Sequence, residues 1–508
     1  MDHTGKLSKN LFLLILILPL LLQAQAQESG TWRPVDEINT SYNEFSPTIS
    51  PDGRFMIFSS PRPGGLGDND LWITWYSNNK WSAPRNMAGL NSPYHDHEPF
   101  ITYDGNAVLF SSDRDGGYGV GDLYISYRNG SSWQSPVNLG PGINTADSEK
   151  MPSLSMDNKE LFFCRIPVNY RKRSLDNRRI QIYYSRNAGN QWTRPELQPS
   201  PLNQMSMDCA PRIMPDNKTL LFCSQRKGGK GGYDIWAVKR DKPGEDWHGL
   251  TNLSFINTAD NESHFTFTII QDRLYLASQK GDKNDYDIYE YIVKQRIADP
   301  SITLQGRITN IRNGKPLQAS ITIEIVTNTE EKFEISSDPV TGRYSVTLPK
   351  GDNYSIAVEA DGYMFHNERM DLTRLTNSRI IKKDVGLHPL VTGEKFSLDT
   401  IYFDGDSYKL RDDSRISLDR LGDILMNNPE IRIMIKGHVA EVRESKIDSQ
   451  WLSEQRADAV KQYLTGHGVS RDRIQTKGFG GSRPIGSNAT EEGRQLNRRT
   501  EFEILPEK

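Results

Sequence analysis

The chain has 508 residues, of which 36% are hydrophobic and 25% charged. That length corresponds to several domains, and the apolar fraction excludes a wholly disordered chain. The 62 basic and 65 acidic side chains give a net charge of −3, which argues against a nucleic acid partner. Three cysteines, Cys164, Cys209 and Cys223, exclude a disulfide scaffold, and we expect buried free thiols, with one bridge as the alternative. No motif indicates a metal or a cofactor.

Residues 1–26 are predicted to be a secretory signal peptide. Lys6 and Lys9 precede an apolar run at 11–22. As a helix that run would be about 18 Å long, too short for a bilayer core of about 30 Å. Ala24-Gln-Ala26 then has the small-x-small cleavage pattern. We expect a soluble periplasmic protein that begins near Gln27, with an uncleaved anchor as the alternative.

A repeat runs through residues 27–296. Four copies and a weaker fifth contain a hairpin pattern and a third strand such as Asp70-Leu-Trp72. In the first four copies a fourth strand begins with tryptophan, such as Trp81-Ser-Ala-Pro84. Four strands per repeat are typical of β-propeller blades. The fifth copy lacks its fourth strand, and Trp32-Arg-Pro-Val35 matches it. We therefore predict five blades closed by the N-terminal strand, with six blades as the alternative.

The repeats resemble the TolB-type propeller repeat, whose pattern is clearest at residues 45–60. The resemblance predicts a fold and no ligand. Glycine-rich loops that carry arginine or lysine recur between the second and third strands, at 62–68, 114–119, 226–232 and 280–284. These loops, and the basic segment 171–179, are either surfaces that bind a partner or turns and insertions with solvated charges.

Residues 301–390 are predicted to be a small β-sandwich. Segments such as Ile302–Ile308 and Tyr354–Ala360 alternate in polarity and are separated by glycine turns. With its Thr-Gly-x-Tyr turn and closing Ala360-Asp-Gly-Tyr363, the region resembles the regulatory, transthyretin-like domain of carboxypeptidases. We interpret it as a spacer, with a partner-binding sandwich as the alternative.

Residues 393–508 change to an α/β pattern. Strands are predicted at 401–404, 431–435, 473–479 and 499–504, and helices at 413–426 and 453–464. The order suggests two helices on one face of a small sheet.

This region resembles the peptidoglycan-binding C-terminal domain of the OmpA family. The matching motifs lie along the whole segment: Phe403-Asp404, Gly437-His438, Leu452-Ser453-x-x-Arg456-Ala457, Lys477-Gly-Phe-Gly480 and Asn497-Arg-Arg499. In the family, an aspartate and an arginine hold the diaminopimelate of the peptide stem. A carboxylate suits that residue's ammonium group, and a guanidinium suits its carboxylate.

The resemblance implies a site at Asp404, Glu441, Ser449, Arg456 and Arg498. The family's aspartate after Gly-His-Thr is missing here, because Val439 and Ala440 follow His438. Counting back from the helix places Glu441 at that position, and Ser449 replaces the family's loop asparagine. The alternative is a degenerate domain that keeps the fold without binding.

We therefore predict a non-catalytic periplasmic adaptor, associated with the cell wall or outer membrane. Its C-terminal domain would bind peptidoglycan, and its propeller would bind an envelope or outer-membrane protein. The domain order resembles PorE-type cell-envelope proteins of Bacteroidota, which act in type IX secretion, although the helical repeats and lipid anchor of that group are not found here.

The alternative is a propeller enzyme that acts on envelope glycans or peptides. Acidic residues recur near the start of each repeat and could line the central channel: Glu44, Glu98, Glu149, Asp208 and Glu262. Recurrence in every repeat favours an architectural role over a catalytic pair.

Overall fold

The computed structural model describes residues 32–506, except 170–173, 176–179, 190, 205–206, 281–284, 399 and 441–447. The predicted signal peptide and most of the basic segment 171–179 lie outside the described residues. Across the part of the chain that is described, no helix is long and apolar enough to cross a membrane.

The described residues of the N-terminal unit form five antiparallel sheets of four or five strands, and one two-stranded hairpin. Strand β1 (Trp32–Pro34) belongs to the last of the five sheets. The first sheet contains β2 (Phe45–Ile49), β3 (Phe55–Ser60), β4 (Asp70–Ser77), β5 (Lys80–Trp81) and β6 (Arg85–Asn86). The second contains β7 (Asp96–Ile101), β8 (Ala107–Ser112), β9 (Asp122–Asn129), β10 (Ser132–Trp133) and β11 (Val137–Asn138).

In the remaining sheets, too, strands that follow one another in the chain lie side by side. The third contains β12 (Ser148–Leu154), β13 (Glu160–Ile166), β16 (Gln181–Arg186) and β17 (Glu196–Leu197), with the separate hairpin β14 (Val168–Asn169) and β15 (Ser174–Leu175) between its strands. The fourth contains β18 (Cys209–Ile213), β19 (Thr219–Ser224), β20 (Asp234–Lys239) and β21 (His248–Asn252). The fifth contains β22 (Glu262–Phe267), β23 (Arg273–Ser278) and β24 (Asp287–Ile292), completed by β1.

The N-terminal strand pairs with the last repeat, as predicted. Trp32 lies opposite Tyr291, and Pro34 lies opposite Tyr289. The first strands of the five sheets contact one another in a cyclic order, β2 to β7 to β12 to β18 to β22 and back to β2. The strand pairing is confirmed, whereas assignment of the unit to the propeller class stays a prediction.

The three cysteines are free and buried, as expected. Cys209 and Cys223 are opposite each other on β18 and β19, within the same hydrophobic cluster as Cys164. Burial raises the pKa of the Cys164 thiol. These thiols therefore act as small apolar side chains in the core.

Residues 301–387 form two four-stranded sheets that enclose one hydrophobic core. One sheet contains β25 (Ser301–Asn310), β28 (Arg343–Pro349), β31 (Arg379–Lys382) and β32 (Val385–Leu387). The other contains β26 (Ser320–Ile325), β27 (Asn328–Ser336), β29 (Asn353–Glu359) and β30 (His366–Asp371).

In its described residues, the C-terminal domain has a four-stranded sheet and three α-helices. In chain order these are β33 (Lys395–Ser397), α1 (Arg415–Asn427), β34 (Arg432–Gly437), α2 (Ser449–Gly466), β35 (Ile474–Gly478), α3 (Glu491–Asn497) and β36 (Thr500–Leu505). The sheet order is β33, β36, β34, β35. Short 3-10 turns at Asp412–Ser414 and Arg471–Arg473 precede α1 and β35.

Two predictions for this domain are wrong. Residues 401–404 form a loop with only an isolated bridge between Phe403 and Leu410, and the first strand is β33, which pairs with β36. Helix α2 begins four residues before the predicted Ser453, because the Asp448 side chain accepts hydrogen bonds from the backbone N–H groups of the first turn. Helix α3 was not predicted.

Candidate functional site

A groove of about 480 Å³ opens in the C-terminal domain. Four segments form its walls: the loop that precedes α1, the end of β34, the first half of α2, and the end of α3 with the start of β36. Its polar and charged lining residues are Asp404, Asp406, Arg411, His438, Ser449, Arg456, Gln495, Arg498, Arg499 and Thr500.

Arg456 extends from α2 into this groove and is only 8% exposed. Its Nε donates a hydrogen bond to the Ser407 carbonyl at 2.9 Å, and its guanidinium carbon lies 4.9 Å from the centroid of the Phe403 ring. Within the described residues, its two terminal nitrogens have no hydrogen-bond partner. Burial lowers the pKa of Arg456, and the nearby Asp406 opposes that effect. The groove thus holds an oriented, charged donor with unused hydrogen-bonding capacity.

The other three groove arginines already have carboxylate partners. Arg498 Nη2 contacts Glu491, and it also donates to Gln495 Oε1 at 2.8 Å. The remaining two pairs are Arg411 Nη2 to Asp413 Oδ2 at 2.9 Å and Arg499 Nε to Glu501 Oε1 at 2.8 Å. Within the described part of the chain, Arg456 is therefore the groove arginine that lacks an ion pair.

Two carboxylates lie in the same groove, on the loop before α1. Asp404 is about half exposed, and its Oδ2 lies 3.8 Å from Lys409 Nζ. Asp406 is exposed and has a φ of +49°, a left-handed conformation that aspartate tolerates better than most residues. Sequence reasoning missed Asp406. The Asp-Gly-Asp run at 404–406, a typical turn composition, was the available signal.

The structure brings together four of the five residues predicted from the family resemblance: Asp404, Ser449, Arg456 and Arg498 all line the groove. Ser449 is the first residue of α2. Glu441 lies outside the described residues. Its role as a substitute for the family's aspartate stays a prediction.

His438 lines the groove but adds no charge to it at neutral pH. The residue is 3% exposed, and its ring is stacked on Phe479 with the centroids 5.3 Å apart. Burial and the neighbouring Arg499 lower the pKa of His438 to about 4. Its Nε2 lies 3.4 Å from Glu501 Oε2. The imidazole is therefore a neutral, packed wall of the groove.

Four acidic residues at recurrent positions of the N-terminal unit are buried in ion pairs with arginines. Each has an exposed fraction of 0% and contacts an arginine from the same repeat. Glu262 of the fifth repeat is equally buried, and its carboxylate accepts hydrogen bonds from Thr258. The pairs are Glu44 with Arg62 at 2.9 Å, Asp96 with Arg114 at 2.5 Å, Glu149 with Arg165 at 2.8 Å, and Asp208 with Arg226 at 3.0 Å. The glycine-loop arginines Arg62, Arg114 and Arg226 therefore point into the fold, which favours the turn interpretation of those loops.

Glu98 does not belong to this recurrent set, contrary to the sequence interpretation. Asp96 occupies the equivalent position, and Glu98 lies at a β-bulge two residues later with a φ of +57°. Burial opposes its ionisation, but His97, Lys150 and His264 outweigh burial and lower the pKa of Glu98 to about 2. Its Oε2 accepts a hydrogen bond from the Met151 backbone N–H at 3.0 Å. Glu98 is thus an ionised link between two neighbouring sheets.

Most of the groove's lining residues lie in a segment that matches a known family. The OmpA family profile matches residues 402–498, which include the loop at 404–406, α2 and α3. The C-terminal domain is an OmpA-family domain. The match ends before the last strand of the sheet and does not extend to the two preceding units.

Relatives in other bacteria match the same domain. Outer membrane porin F of Pseudomonas aeruginosa is 37% identical over 108 residues, which are 21% of this chain and 31% of that protein. Peptidoglycan-binding protein ArfA of Mycobacterium tuberculosis is 42% identical over 87 residues, 17% of this chain and 26% of that protein. The chain thus spans about a third or less of the length of these curated relatives.

A solved structure is also similar. The crystal structure of the peptidoglycan-associated lipoprotein from Burkholderia pseudomallei is 27% identical and covers 21% of this chain and 86% of that one, with a TM-score of 0.19. That score is too low to carry a statement about the fold of the whole chain.

Proposed function

We propose that this protein is a non-catalytic envelope protein that binds peptidoglycan through its OmpA-family domain. The observation that carries the proposal is Arg456, a buried guanidinium in the groove with free terminal nitrogens. Arg456 lies in the segment that the OmpA family profile matches. One similar protein, ArfA of Mycobacterium tuberculosis, is named as a peptidoglycan-binding protein.

The charges of the groove suit a stem peptide that contains diaminopimelate. The free end of that residue carries a carboxylate and an ammonium group. Arg456 would bind the carboxylate through a two-pronged hydrogen bond, with Arg498 at the same wall. The ammonium would lie toward Asp404 and Asp406, or toward the predicted Glu441.

Co-sedimentation with purified diaminopimelate-type sacculi tests this function. We expect Arg456→Ala to lose about ten- to a hundredfold in affinity, because a hydrogen bond to a charged group contributes about 1.5–3 kcal/mol. Arg471→Ala, which removes an exposed arginine beside β35, is the matched control and should bind like the wild type. Equal sedimentation of all three proteins would contradict the proposal.

The same assay can identify which carboxylate of the protein binds the ammonium group of the ligand. Asp404→Asn, Asp406→Asn and Glu441→Gln each remove one negative charge at nearly constant side-chain volume. If Glu441 replaces the family's aspartate, its variant should lose nearly as much affinity as Arg456→Ala. If the loop before α1 supplies the carboxylate, Asp404→Asn or Asp406→Asn should show that loss of affinity instead.

The other two units complete the proposal. We propose that residues 27–296 are a five-bladed propeller that binds an envelope protein, and that residues 301–390 are a regulatory-like sandwich that spaces it from the wall-binding domain. The proposed location is the periplasm, at the cell wall or outer membrane. The burial of the recurrent acids against arginines supports a binding role for the propeller over a glycosidase role. A pull-down from envelope extract with the full chain, compared with a chain that lacks residues 27–296, tests the propeller's part.

A further inference from the structure

Two large exposed aromatic side chains belong to segments that also supply lining residues of the groove, such as Asp406 and Leu452. Tyr408 is 47% exposed and Trp451 is 48% exposed. Their rings meet edge to face, with centroids 5.9 Å apart and planes at 86°. Exposed tyrosine and tryptophan side chains in direct contact form a concentrated apolar surface whose polar ends can still form hydrogen bonds.

The pair is attached to the two walls that hold Arg456. Tyr408 follows Ser407, whose carbonyl accepts the hydrogen bond from Arg456 Nε. Trp451 is on the first turn of α2, the helix that carries Arg456. The capping bonds from Gln450 and Trp451 to Asp448 hold that turn in place. The aromatic surface therefore has a defined position relative to the guanidinium.

Neither side chain is committed to a polar partner. Within the described residues, Trp451 Nε1 and the Tyr408 hydroxyl make no hydrogen bond. A pyranose ring can place its C–H face, which carries partial positive charge, against the negative face of an aromatic ring. Its hydroxyl and acetamido groups can then bond with a free indole N–H or phenol O–H.

We infer that Tyr408 and Trp451 form a platform for a sugar of the glycan strand, so that the domain binds sugar and stem peptide together. This inference rests on the proposed function. Trp451 precedes Arg456 by five residues, which is about 7.5 Å along a helix axis. The diamino acid is the third residue of the stem, and three extended residues span at most about 10 Å. Three extended stem residues are thus longer than the rise along α2 between Trp451 and Arg456, which lie about 140° apart around the helix.

Two probes separate sugar binding from stem binding. One is the disaccharide N-acetylglucosaminyl-N-acetylmuramyl tripeptide with diaminopimelate, and the other is the same tripeptide without sugar. For the full mature chain, calorimetric titration should show tighter binding of the disaccharide probe. In Trp451→Ala, affinity for that probe should fall about three- to tenfold, while affinity for the free tripeptide stays within twofold of the wild type.

Further variants distinguish loss of the aromatic surface from a folding defect. Trp451→Phe keeps an aromatic face and should retain most of the preference for the disaccharide probe, whereas Tyr408→Ala should lose part of it. Trp75→Ala removes an exposed tryptophan of similar accessibility from the N-terminal unit and should change neither affinity.

The outcomes distinguish the inference from the proposed function. Equal wild-type affinity for both probes would overturn the platform and leave peptidoglycan binding in place. Equal losses for both probes in Trp451→Ala would also overturn it, because a structural or stem contact would then explain the residue. If the wild-type chain binds neither probe, the proposed function and this inference both fail.

Discussion

At the scale of single residues, the N-terminal unit is stabilised by one ion pair used repeatedly. Four repeats place a buried acid against an arginine, and each guanidinium also lies over an aromatic ring of its own sheet. A buried carboxylate is costly unless it is paired and hydrogen-bonded. The fifth repeat departs from this pattern. Lys280 takes the place of the arginine, and its Nζ lies 4.9 Å from the Trp32 ring centroid.

This departure predicts a pH-dependent stability that depends on Glu262. Burial raises the pKa of Glu262 to about 7. The folded state therefore holds the Glu262 proton more tightly than the unfolded state does. The resulting contribution to the free energy of unfolding is fully present below about pH 4.3, the pKa of glutamate in the unfolded chain. It is lost as the pH rises through about 7. We expect Glu262→Gln to raise the melting temperature at pH 8 and to flatten its dependence between pH 5 and pH 8.

Glu44→Gln is the matched control, because Glu44 holds the equivalent position but is paired with Arg62. Removing that charge leaves a buried guanidinium without its partner, so this variant should be less stable at pH 8. Thermal melts at pH 5, 6, 7 and 8 measure both effects. A Glu262→Gln profile parallel to that of the wild type would exclude Glu262 as the titrating group.

At the scale of elements, closure of the last sheet depends on a strand of only three residues. Strand β1 covers the edge of β24, and Trp32 packs edge to face on Tyr289 and Tyr291 at centroid distances of 5.7 and 6.0 Å. The next residue, Val35, is 5% exposed and donates its N–H to the Ile288 carbonyl at 3.0 Å. Without this segment, β24 would present an unpaired edge.

Deletion of residues 27–40 should therefore destabilise the N-terminal unit and promote aggregation. The unpaired groups of β24 and the uncovered faces of Tyr289 and Tyr291 are the physical reason. Urea unfolding and light scattering of the truncated and intact chains provide the measurement. An unchanged unfolding midpoint with no increase in scattering would refute this role for β1.

The helices of the C-terminal domain show why element ends were harder to predict than element types. Asp448 lies directly before α2 and caps it, whereas the sequence pattern predicts a helix that begins at Ser453. Ser453 is instead buried within the helix, where its Oγ accepts a hydrogen bond from the Gly480 N–H at 2.8 Å. A serine that makes a tertiary contact and one that caps a helix look alike in a sequence.

At the scale of the whole molecule, the sandwich and the C-terminal domain share a core. Met364 and Phe365 of the sandwich belong to the same hydrophobic cluster as the centre of the C-terminal domain. Arg420 of α1 contacts Glu324 at 2.7 Å and Glu359 at 2.5 Å across the junction. The N-terminal unit also contacts the sandwich, since the Gly130 N–H donates to Asp338 Oδ2 at 2.8 Å. These contacts join the sandwich to both of its neighbouring units.

Arg420→Ala should separate the unfolding of the last two domains. Its loss leaves Glu324 and Glu359 without this cation, and each lost charged hydrogen bond is expected to contribute about 1.5–3 kcal/mol. Calorimetry should resolve an earlier transition for the C-terminal domain, and binding to sacculi should persist. Arg415→Ala, which removes an exposed arginine of the same helix, should leave the calorimetric profile unchanged. A profile for Arg420→Ala identical to that of the wild type would argue against a coupled junction.

The sequence by itself determined the repeat, the pairing of Trp32 with the last repeat and the family of the C-terminal domain, because periodic strands and spaced motifs are local signals. It also located Asp404, Ser449, Arg456 and Arg498. Only the tertiary structure decided how charges pair. It placed Asp96, not Glu98, in the recurrent ion pairs, and it brought Asp406 into the groove and Tyr408 against Trp451. Burial and partners arise from segments far apart in the chain, and a single sequence carries no direct record of those contacts.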